Sequence, residues 1–412
     1  MRIAVVGAGV SGLMAAWLLQ KEHDVTVFEA AGRAGGHAHT VCPLGADGPA
    51  LDTGFIVFNR EDYPLFWSLL NSLGVASQPS RMSFSVHSES SGFEYCASPN
   101  PMSLFAQRRN AVRPGFYRML RDVVRFYQAA PDLAFSGVEL GTADYLDREG
   151  YSPAFADLHL LPMISALWSS SLAQARRFPV RNLTEFMHGH GMLRLRGRPQ
   201  WLCVRGGSTV YVDALCRQLR NRPVLNSPVR QVAPEGEGVR VRTDALEETF
   251  DHVVIACHAD QALRMRNNPG NIEREVLGSI SYRSNTVTLH TDVSLLPRRR
   301  RAWGCWNYRV TRESGAPPLV TYNLNLLQGL ADKRTYCVTL NGDDRIDQNT
   351  VLGRYAYAHP QFDRASFAAQ KQWDALQGKD RVWYCGAWWG YGFHEDGVRS
   401  AVRVARALGV AW

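Results

Sequence analysis

The strongest constraint on the fold of this chain is a group of three closely spaced glycines, Gly7-Ala8-Gly9-Val10-Ser11-Gly12. The apolar run Arg2–Val6 stands directly before them and is typical of a buried parallel strand. Good helix formers fill residues 13–20, and Asp24–Phe28 predicts a second strand that ends at Glu29. This order predicts a βαβ unit in which a tight glycine turn joins the first strand to the helix.

The glycine turn and the acidic residue after the second strand predict a dinucleotide site. Gly7 permits the tight turn, Gly9 lets a diphosphate approach the backbone, and Gly12 lets the helix and strand pack closely. The helix N-terminus, where Ser11 stands, presents free N–H groups and a positive dipole end to the phosphates. Glu29 can accept hydrogen bonds from ribose hydroxyls, and its charge disfavours the 2′-phosphate of NADP.

The glycines that follow favour FAD over NAD. Residues 29–36 read Glu-Ala-Ala-Gly-Arg-Ala-Gly-Gly, which resembles the second FAD motif of the flavin amine oxidase and phytoene desaturase superfamily. The resemblance implies that Arg33, Gly35 and Gly36 lie along the diphosphate and ribitol. A fixed positive charge suits a diphosphate, and paired glycines let the backbone approach a ligand. His37 stands where many relatives have a second arginine, and we expect it at the same cofactor.

Two further segments resemble cofactor contacts of that superfamily. Residues 51–55 resemble its segment next to the flavin, which implies that Thr53, Gly54 and Phe55 contact the cofactor. The backbone at Val229 corresponds to a position that touches adenine in the superfamily. An ordinary Asp/Gly turn is the alternative interpretation of residues 51–55.

The C-terminal block carries the second strong pattern. Residues 382–386 predict a strand that ends in glycine, residues 387–397 form a glycine and aromatic loop, and residues 398–408 predict a helix. Superfamily members end in this order, with the helix N-terminus directed at the flavin pyrimidine ring, where its dipole favours negative charge. The alternative is an aromatic core cluster with no ligand. The resemblance adds three cofactor contacts: Gly386, Asp396 and Val398.

Titratable residues beside this loop are the candidates for catalysis: Tyr391, His394 and Glu395. A histidine can move a proton near neutral pH. The alternative is that the acidic residues cap the final helix, with Asp396 at the N-cap. Many amine oxidases keep a lysine near the flavin, whereas no lysine stands between positions 21 and 333 here, which weakens the case for amine oxidation.

The remaining segments predict the rest of the fold. Apolar periodicity predicts helices at residues 63–73, 116–127 and 158–172, and Val224 to Val232 predicts an edge strand that contains Pro228. Alternating patterns predict strands of one antiparallel sheet at residues 286–290, 319–322 and 336–340.

We therefore expect an α/β fold class, in which a Rossmann-like FAD-binding domain is combined with a discontinuous α+β substrate domain. The expected FAD-binding domain comprises residues 1–60, 200–264 and 375–412. The expected substrate domain comprises residues 61–199 and 265–374, a helical region plus an antiparallel sheet.

Charge and composition limit the partners. Lysine and arginine number 46 against 38 acidic residues, which gives a net charge of +8, and residues 298–301 are four consecutive arginines. A basic face suits an anionic substrate or phospholipid headgroups, although base composition of the genome is an alternative explanation. No helix-turn-helix, zinc-finger or RNP-type motif is present, so we expect no nucleic acid partner.

Cysteine spacing and hydropathy bear on the surroundings of the protein. The eight cysteines form no CxxC pair, so we expect no metal site and reduced thiols in a cytoplasmic protein. No run of 18 apolar residues is present, so we expect no membrane-spanning helix. Residues 158–172 predict a core or pocket helix bent at Pro162, with peripheral contact at a membrane surface as the alternative.

These patterns lead to one preferred function. The resemblance covers essentially the whole chain, and the Gly-Phe-His-Glu-Asp-Gly stretch at residues 392–397 resembles a bacterial subgroup of predicted NAD/FAD-binding proteins. We expect an FAD-dependent oxidoreductase that removes a hydride equivalent from an apolar organic substrate, with a fatty acyl or lipid dehydrogenase or desaturase preferred. An amine oxidase and a flavin-dependent double-bond isomerase are the alternatives. The oligomeric state stays open.

Overall fold

The computed structural model describes residues 1–98, 100–312 and 315–412, which form nineteen strands in five sheets and sixteen α-helices. The strands are β1 Arg2–Val6, β2 Asp24–Phe28, β3 Thr40–Val41, β4 Leu51–Asp52, β5 Val57–Asn59, β6 Ser77–Pro79, β7 Phe84–Ser88, β8 Glu94–Ala97, β9 Trp201–Val204, β10 Gln231–Glu235, β11 Gly238–Arg242, β12 Glu247–Phe250, β13 His252–Ile255, β14 Ser281–His290, β15 Trp306–Val310, β16 Leu319–Asn323, β17 Cys337–Leu340, β18 Val351–Gln361 and β19 Val382–Tyr384. The helices are α1 Val10–Leu19, α2 Pro64–Ser72, α3 Pro101–Leu104, α4 Pro114–Ala134, α5 Thr142–Arg148, α6 Pro153–Phe155, α7 Leu161–Trp168, α8 Leu172–Arg177, α9 Val180–Gly189, α10 Thr209–Gln218, α11 Ala259–Met265, α12 Asn271–Gly278, α13 Leu324–Leu327, α14 Arg364–Gln370, α15 Trp373–Leu376 and α16 His394–Ala407.

A four-stranded parallel sheet carries the glycine turn. Its strands lie in the order β19-β13-β1-β2, and each neighbouring pair is parallel. Side chains alternate between the two faces of a strand, so Ile3 and Val5 pack into one apolar core while Ala4 and Val6 pack into another. Helices α1 and α16 belong to the first of these cores. The predicted β1, β2 and α/β fold class are confirmed.

A seven-stranded mixed sheet forms the second large layer, in the order β18-β14-β17-β16-β15-β7-β8. The three strands predicted within residues 286–340 pair antiparallel as expected, through β14 with β17 and β16 with β17. Only β15 and β7 pair in parallel among the described strands of this sheet. The sheet therefore joins residues 84–97 to residues 281–361, which are far apart along the chain.

Two predicted elements differ in the structure. Residues 224–230 are not a strand; Val224 makes one isolated bridge to Phe28, and pairing begins only at Gln231, because Pro228 offers no N–H to a ladder. The helix predicted at residues 158–172 is also wrong as one element. A π-helical turn covers Ala156–Leu160, and α7 ends at Trp168. The next residue, Ser169, has a φ of +49°.

The final helix begins earlier than the pattern predicts. Helix α16 starts at His394 rather than near residue 398, so both acidic residues of the loop lie in its first turn. Within residues 1–98, 100–312 and 315–412, no helix is long and apolar enough to cross a membrane.

Candidate active site

A continuous cavity of about 1420 Å³ begins at the glycine turn after β1 and extends to the seven-stranded sheet. Three of the residues predicted to contact the cofactor lie behind its wall: Gly12, Asp396 and Val398. The others line it: Gly7, Gly9, Ser11, Glu29, Arg33, Gly35, Gly36, His37, Thr53, Gly54, Phe55, Val229 and Gly386. The cavity therefore gathers segments that the sequence separates by more than 300 residues.

The glycine turn has the shape that a diphosphate requires. A Cβ at Gly9 would meet no protein atom within 4 Å, so the space in front of this residue is open. A Cβ at Gly12 would lie 1.8 Å from the carbonyl oxygen of Gly7, so this glycine lets the helix start pack on the turn. Gly7 itself has a φ of +104°, which favours glycine. The turn thus supplies exposed backbone and a helix N-terminus at one point.

The paired glycines form the other side of this cradle. The N–H of Gly35 donates to the carbonyl of Ala8 at 2.7 Å, and Gly35 bridges Gly9 in parallel. A Cβ at Gly36 would lie 3.3 Å from the Cα of Gly9. The two glycine segments are therefore in backbone contact, and this donor set fits a dinucleotide diphosphate.

Glu29 fixes the geometry of the turn. One carboxylate oxygen accepts the N–H of Ala8 at 2.7 Å, and the other accepts the N–H of Ala31 at 2.8 Å. A carboxylate has about four acceptor positions, so further positions remain for hydroxyl groups in the cavity that Glu29 lines.

Arg33 supports the loop of paired glycines. Its guanidinium donates to the carbonyl of Gly36 at 2.7 Å and to that of Ala38 at 3.3 Å. Burial together with the nearby charge of Arg33 lowers the pKa of His39 to about 4. The arginine thus brings a permanent positive charge to the cavity wall beside a neutral imidazole.

Three histidines from distant segments form a wall of the cavity. The ring of His37 lies 6.0 Å from that of His258 and 5.4 Å from that of His359. Burial, followed by repulsion from the other two rings, holds the pKa of His37 well below its usual range. Burial lowers the pKa of His359 to about 4 and also lowers that of His258. The Nε2 atom of His37 is buried without a hydrogen-bond partner among the described residues, which fits a polar ligand at this wall.

The sequence-based prediction missed His258 and His359. Neither stands near a cofactor motif, because one follows β13 and the other lies on β18. The packing of the two sheets brings these positions beside His37.

The predicted catalytic residues lie in different environments. The ring of His394 stacks on Phe55 at 3.5 Å between centroids, and its Nε2 forms a hydrogen bond of 3.0 Å with the Tyr211 hydroxyl. Burial lowers the pKa of His394 to about 3, so this side chain is neutral at physiological pH. Tyr391 and His394 line the cavity, whereas Glu395 does not. Burial also raises the pKa of the Tyr391 hydroxyl.

The two acidic residues cap helices. The carboxylate of Glu395 accepts the N–H groups of Leu65 and Phe66 at 3.2 and 2.9 Å, at the start of α2. Asp396 accepts the N–H groups of Tyr391 and Phe393 at 3.0 and 3.1 Å. Both carboxylates therefore cap backbone N–H groups away from the cavity lining, and the catalytic role expected for Glu395 and the cofactor contact expected for Asp396 stay predictions. Val398 is fully buried in the core and offers its side chain to no ligand.

Two helix N-termini meet at the cavity. A Cβ at Gly397 would lie 2.8 Å from the Ser11 hydroxyl oxygen, so the first turn of α16 packs against the first turn of α1. Ser11 and His394 both line the cavity. Two positive dipole ends are therefore available to negative charge on a bound ligand.

The far end of the cavity, where the seven-stranded sheet and helices α4 and α7 form the wall, is apolar. Its carbon-rich lining comprises Phe84, Ala97, Tyr127, Met163, Leu167, Val287, Trp306, Tyr322, Leu327, Val338 and Leu340. Of all the described residues that line the cavity, only Glu29 and Asp260 are acidic and none is a lysine. Both acids follow strands of the parallel sheet, so they belong to the glycine end. Arg198 lines the far end near Tyr127, where its charge partly offsets the rise in the pKa of Tyr127 that burial causes.

Comparison with known proteins gives a family and a fold. The model of the family described as flavin containing amine oxidoreductase matches residues 10–302. A tryptophan 2-monooxygenase from Allorhizobium ampelinum is 42% identical over 76 residues, which are 18% of this chain and 10% of that protein. The match thus covers a small part of this longer relative.

Solved structures resemble the chain over its whole length. Putrescine oxidase bound to putrescine aligns with a TM-score of 0.72 at 16% identity, covering 99% of both chains. The CLA-producing fatty acid isomerase from P. acnes aligns with a TM-score of 0.70 at 16% identity, covering 98% of both chains. At this level of identity the similarity establishes the fold.

Proposed function

The chain belongs to the flavin-containing amine oxidoreductases and is therefore an FAD-dependent oxidoreductase, and we propose that its substrate is an apolar molecule, preferably a fatty acyl chain. The observation that carries this proposal is the apolar and aromatic lining of the far end of the cavity. A pocket for one drug-sized ligand measures roughly 300–1,000 Å³. The cavity of about 1420 Å³ leaves room for a substrate beside the cofactor.

The glycine end supplies the groups that would hold FAD. The turn at Gly7 and Gly9 and the paired glycines would take the diphosphate, and Glu29 would accept hydroxyl groups of the ribose. When bound, FAD supplies an acceptor for a hydride equivalent from carbon.

The residues at the far end would bind and orient an acyl chain. Leu167, Val338 and Leu340 exclude water from it, and the guanidinium of Arg198 would pair with a carboxylate at its head. The His394 ring stacks on Phe55 and its lowered pKa makes it a weak base, so we assign it a packing role rather than proton transfer.

A cationic amine is the poorer fit to this lining. An ammonium group brought into an apolar pocket needs a carboxylate partner to offset its desolvation. Among the described residues that line the far end there is none, because Glu29 and Asp260 both lie at the glycine end.

The proposal is tested by mixing the FAD-loaded protein anaerobically with oleate, with methyl oleate or with putrescine. We expect loss of visible flavin absorbance with oleate and none with putrescine. Reduction by putrescine alone would overturn the proposal. Conversion of oleate without a change in absorbance would instead indicate double-bond isomerisation.

The role of Arg198 has its own test. We expect R198Q to weaken oleate binding about tenfold or more, since a charged hydrogen bond is lost, while methyl oleate is affected little. The matched control is R196Q, because Arg196 is exposed and does not line the cavity. Equal weakening for both ligands would argue against a carboxylate at Arg198.

A further inference from the structure

A second pocket, of about 420 Å³, opens on the surface and is lined almost entirely by arginine. Its residues are Ala106, Arg108, Arg109, Arg299, Arg300 and Arg301. The arginines come from two short 3₁₀ turns and the residue before one of them, at Arg108–Val112 and Arg300–Ala302. All five arginines are exposed. We call this group the arginine surface.

Most of this positive charge has no acidic partner. Glu94 pairs with Arg299 at 3.1 Å, and Arg109 donates to the carbonyl oxygen of Gly92 at 2.5 Å. Arg300 lies over the Trp303 ring. Within residues 1–98, 100–312 and 315–412, no carboxylate pairs with Arg108, Arg300 or Arg301. Among the described residues, the five arginines of this surface therefore have one carboxylate partner, which is the buried Glu94.

Exposed apolar side chains lie among these arginines along the chain. Met102, Val112 and Tyr117 are 54%, 81% and 49% exposed. Val112 belongs to the same turn as Arg108, and the Tyr117 hydroxyl donates to the carbonyl of Ala111 at 2.8 Å. Helix α3, which carries Met102, packs against the turn that holds Arg300. These side chains place apolar groups near the cationic pocket.

The arginine surface is connected to the cavity by short segments. Ala97 lines the far end of the cavity, and α3 begins four residues later. Trp306 also lines that end, five residues after Arg301. Helix α3 and the turn at Arg300–Ala302 both contact β8, the edge strand of the seven-stranded sheet.

We propose that the arginine surface docks the protein on an anionic phospholipid bilayer. The unpaired guanidinium groups bind headgroup phosphates, and Met102, Val112 and Tyr117 enter the boundary between headgroups and acyl chains. Anionic lipid suits both the arginines and the exposed apolar side chains, since its charged headgroups lie directly above hydrocarbon. Delivery of the substrate from the bilayer rests on the proposed acyl substrate. Docking on the bilayer is independent of the identity of the substrate.

The test is sedimentation of the full-length, FAD-loaded protein with vesicles of phosphatidylcholine alone or of phosphatidylcholine and phosphatidylglycerol in equal parts. We expect binding only to vesicles with phosphatidylglycerol, and weaker binding in high salt. One arginine near a membrane surface corresponds to about fivefold in affinity, so R300E/R301E should weaken binding on the order of 25-fold or more.

The matched control is R217E/R222E, which reverses two exposed arginines far along the chain from this surface. It changes the net charge equally, and we expect less than about a twofold effect because these residues lie outside the surface. Equal loss in both variants would mean that only net charge matters and would overturn the proposal, as would absence of binding to phosphatidylglycerol. M102S/V112S should leave the charge intact and weaken binding most in high salt.

Failure of docking and failure of the proposed function give different results. R300E/R301E should reduce turnover of oleate presented in vesicles while leaving turnover of a dispersed short-chain fatty acid unchanged. Vesicle binding without turnover of either fatty acid would contradict the proposed acyl substrate and would still support docking. Turnover of both with no vesicle binding would sink docking alone.

Discussion

At the scale of single residues, two glycines of one turn have separate functions. Gly9 has an extended backbone with a φ of −75° and open space where a Cβ would stand. Gly12 has the Gly7 carbonyl oxygen at that place. The first glycine leaves room for a ligand, whereas the second leaves room for the protein itself.

We expect G9A to fold as the parent does and to bind FAD at least about tenfold more weakly, since its methyl group occupies the diphosphate site. G12A should instead lower the free energy of unfolding by about 1–3 kcal/mol or more, because its Cβ forces α1 away from β1. Fluorescence titration with FAD and urea unfolding measure the two effects. Parent-like FAD affinity in G9A would contradict a diphosphate at this turn.

Buried histidines give the stability a definite dependence on pH. His159 forms a hydrogen bond of 2.6 Å with the Tyr95 hydroxyl, and burial lowers its pKa from 6.5 to about 4. In the unfolded chain the ring takes up a proton below its ordinary pKa, whereas in the folded chain it stays neutral. Its contribution is therefore complete above pH 6.5 and is lost as the pH falls toward 4.

We expect the free energy of unfolding to fall by about 3 kcal/mol from this residue over that interval. H159Q should flatten the decrease, and H188Q should not, because His188 is an exposed histidine. Urea unfolding of both variants across this pH range measures the difference. Equal slopes in H159Q and the parent would show that other groups set the acid sensitivity.

At the scale of elements, helix α16 joins the cavity to two other parts of the fold. Its first turn holds His394 against Phe55 and carries the carboxylate of Glu395 to the start of α2. Asp396 folds the preceding aromatic loop back onto the same turn. One helical turn therefore sets the cavity wall and caps a neighbouring helix.

We expect E395Q to lower the free energy of unfolding by about 1–2 kcal/mol, since a Gln oxygen is a weaker partner for two N–H groups than a carboxylate. The rate of anaerobic flavin reduction by substrate should change less than about threefold, whereas loss of a general acid or base lowers a rate by roughly 10²–10⁴. A hundredfold slower rate at parent-like stability would indicate a catalytic role for Glu395.

Sequence patterns predicted correctly the elements that are determined by their own residues, and failed where contacts with distant residues or a proline decide the structure. The bounds of β1 and β2 match the patterns at Arg2–Val6 and Asp24–Phe28, because most of the side chains in each strand are apolar and buried. The strand expected at residues 224–232 was wrong over residues 224–230, because Pro228 stands inside the segment and offers no N–H to a ladder. The start of α16 was misplaced because its first turn is held by contacts to α2, which the local sequence does not contain.

The candidate site follows the same division. The glycine turns, Glu29 and Arg33 could be found from motifs, and they line the cavity. His258, His359 and Arg198 could not, because their place in the cavity depends on tertiary packing. Spacing patterns describe neighbours along the chain, whereas His258 and His359 lie more than 200 positions from His37.

At the scale of the whole molecule, the cavity lies between the parallel sheet and the seven-stranded sheet, and residues of both sheets line it. Strands β14 and β18 contribute Tyr282, Tyr357 and His359 to the wall opposite the glycine turn. A ligand at that turn therefore contacts both sheets. Since a ligand stabilises what it binds, FAD should protect segments of both.

Hydrogen exchange with and without FAD tests whether the bound cofactor contacts both sheets. We expect slower amide exchange in residues 7–12 and, equally, in β14 and β18, because opening either sheet releases the ligand. The hairpin β11–β12 is the internal control, since none of its residues lines the cavity, and its exchange should be unchanged. Protection confined to the glycine turn would mean that FAD leaves the seven-stranded sheet free to open, and the far end of the cavity could not then form one dry pocket with the cofactor.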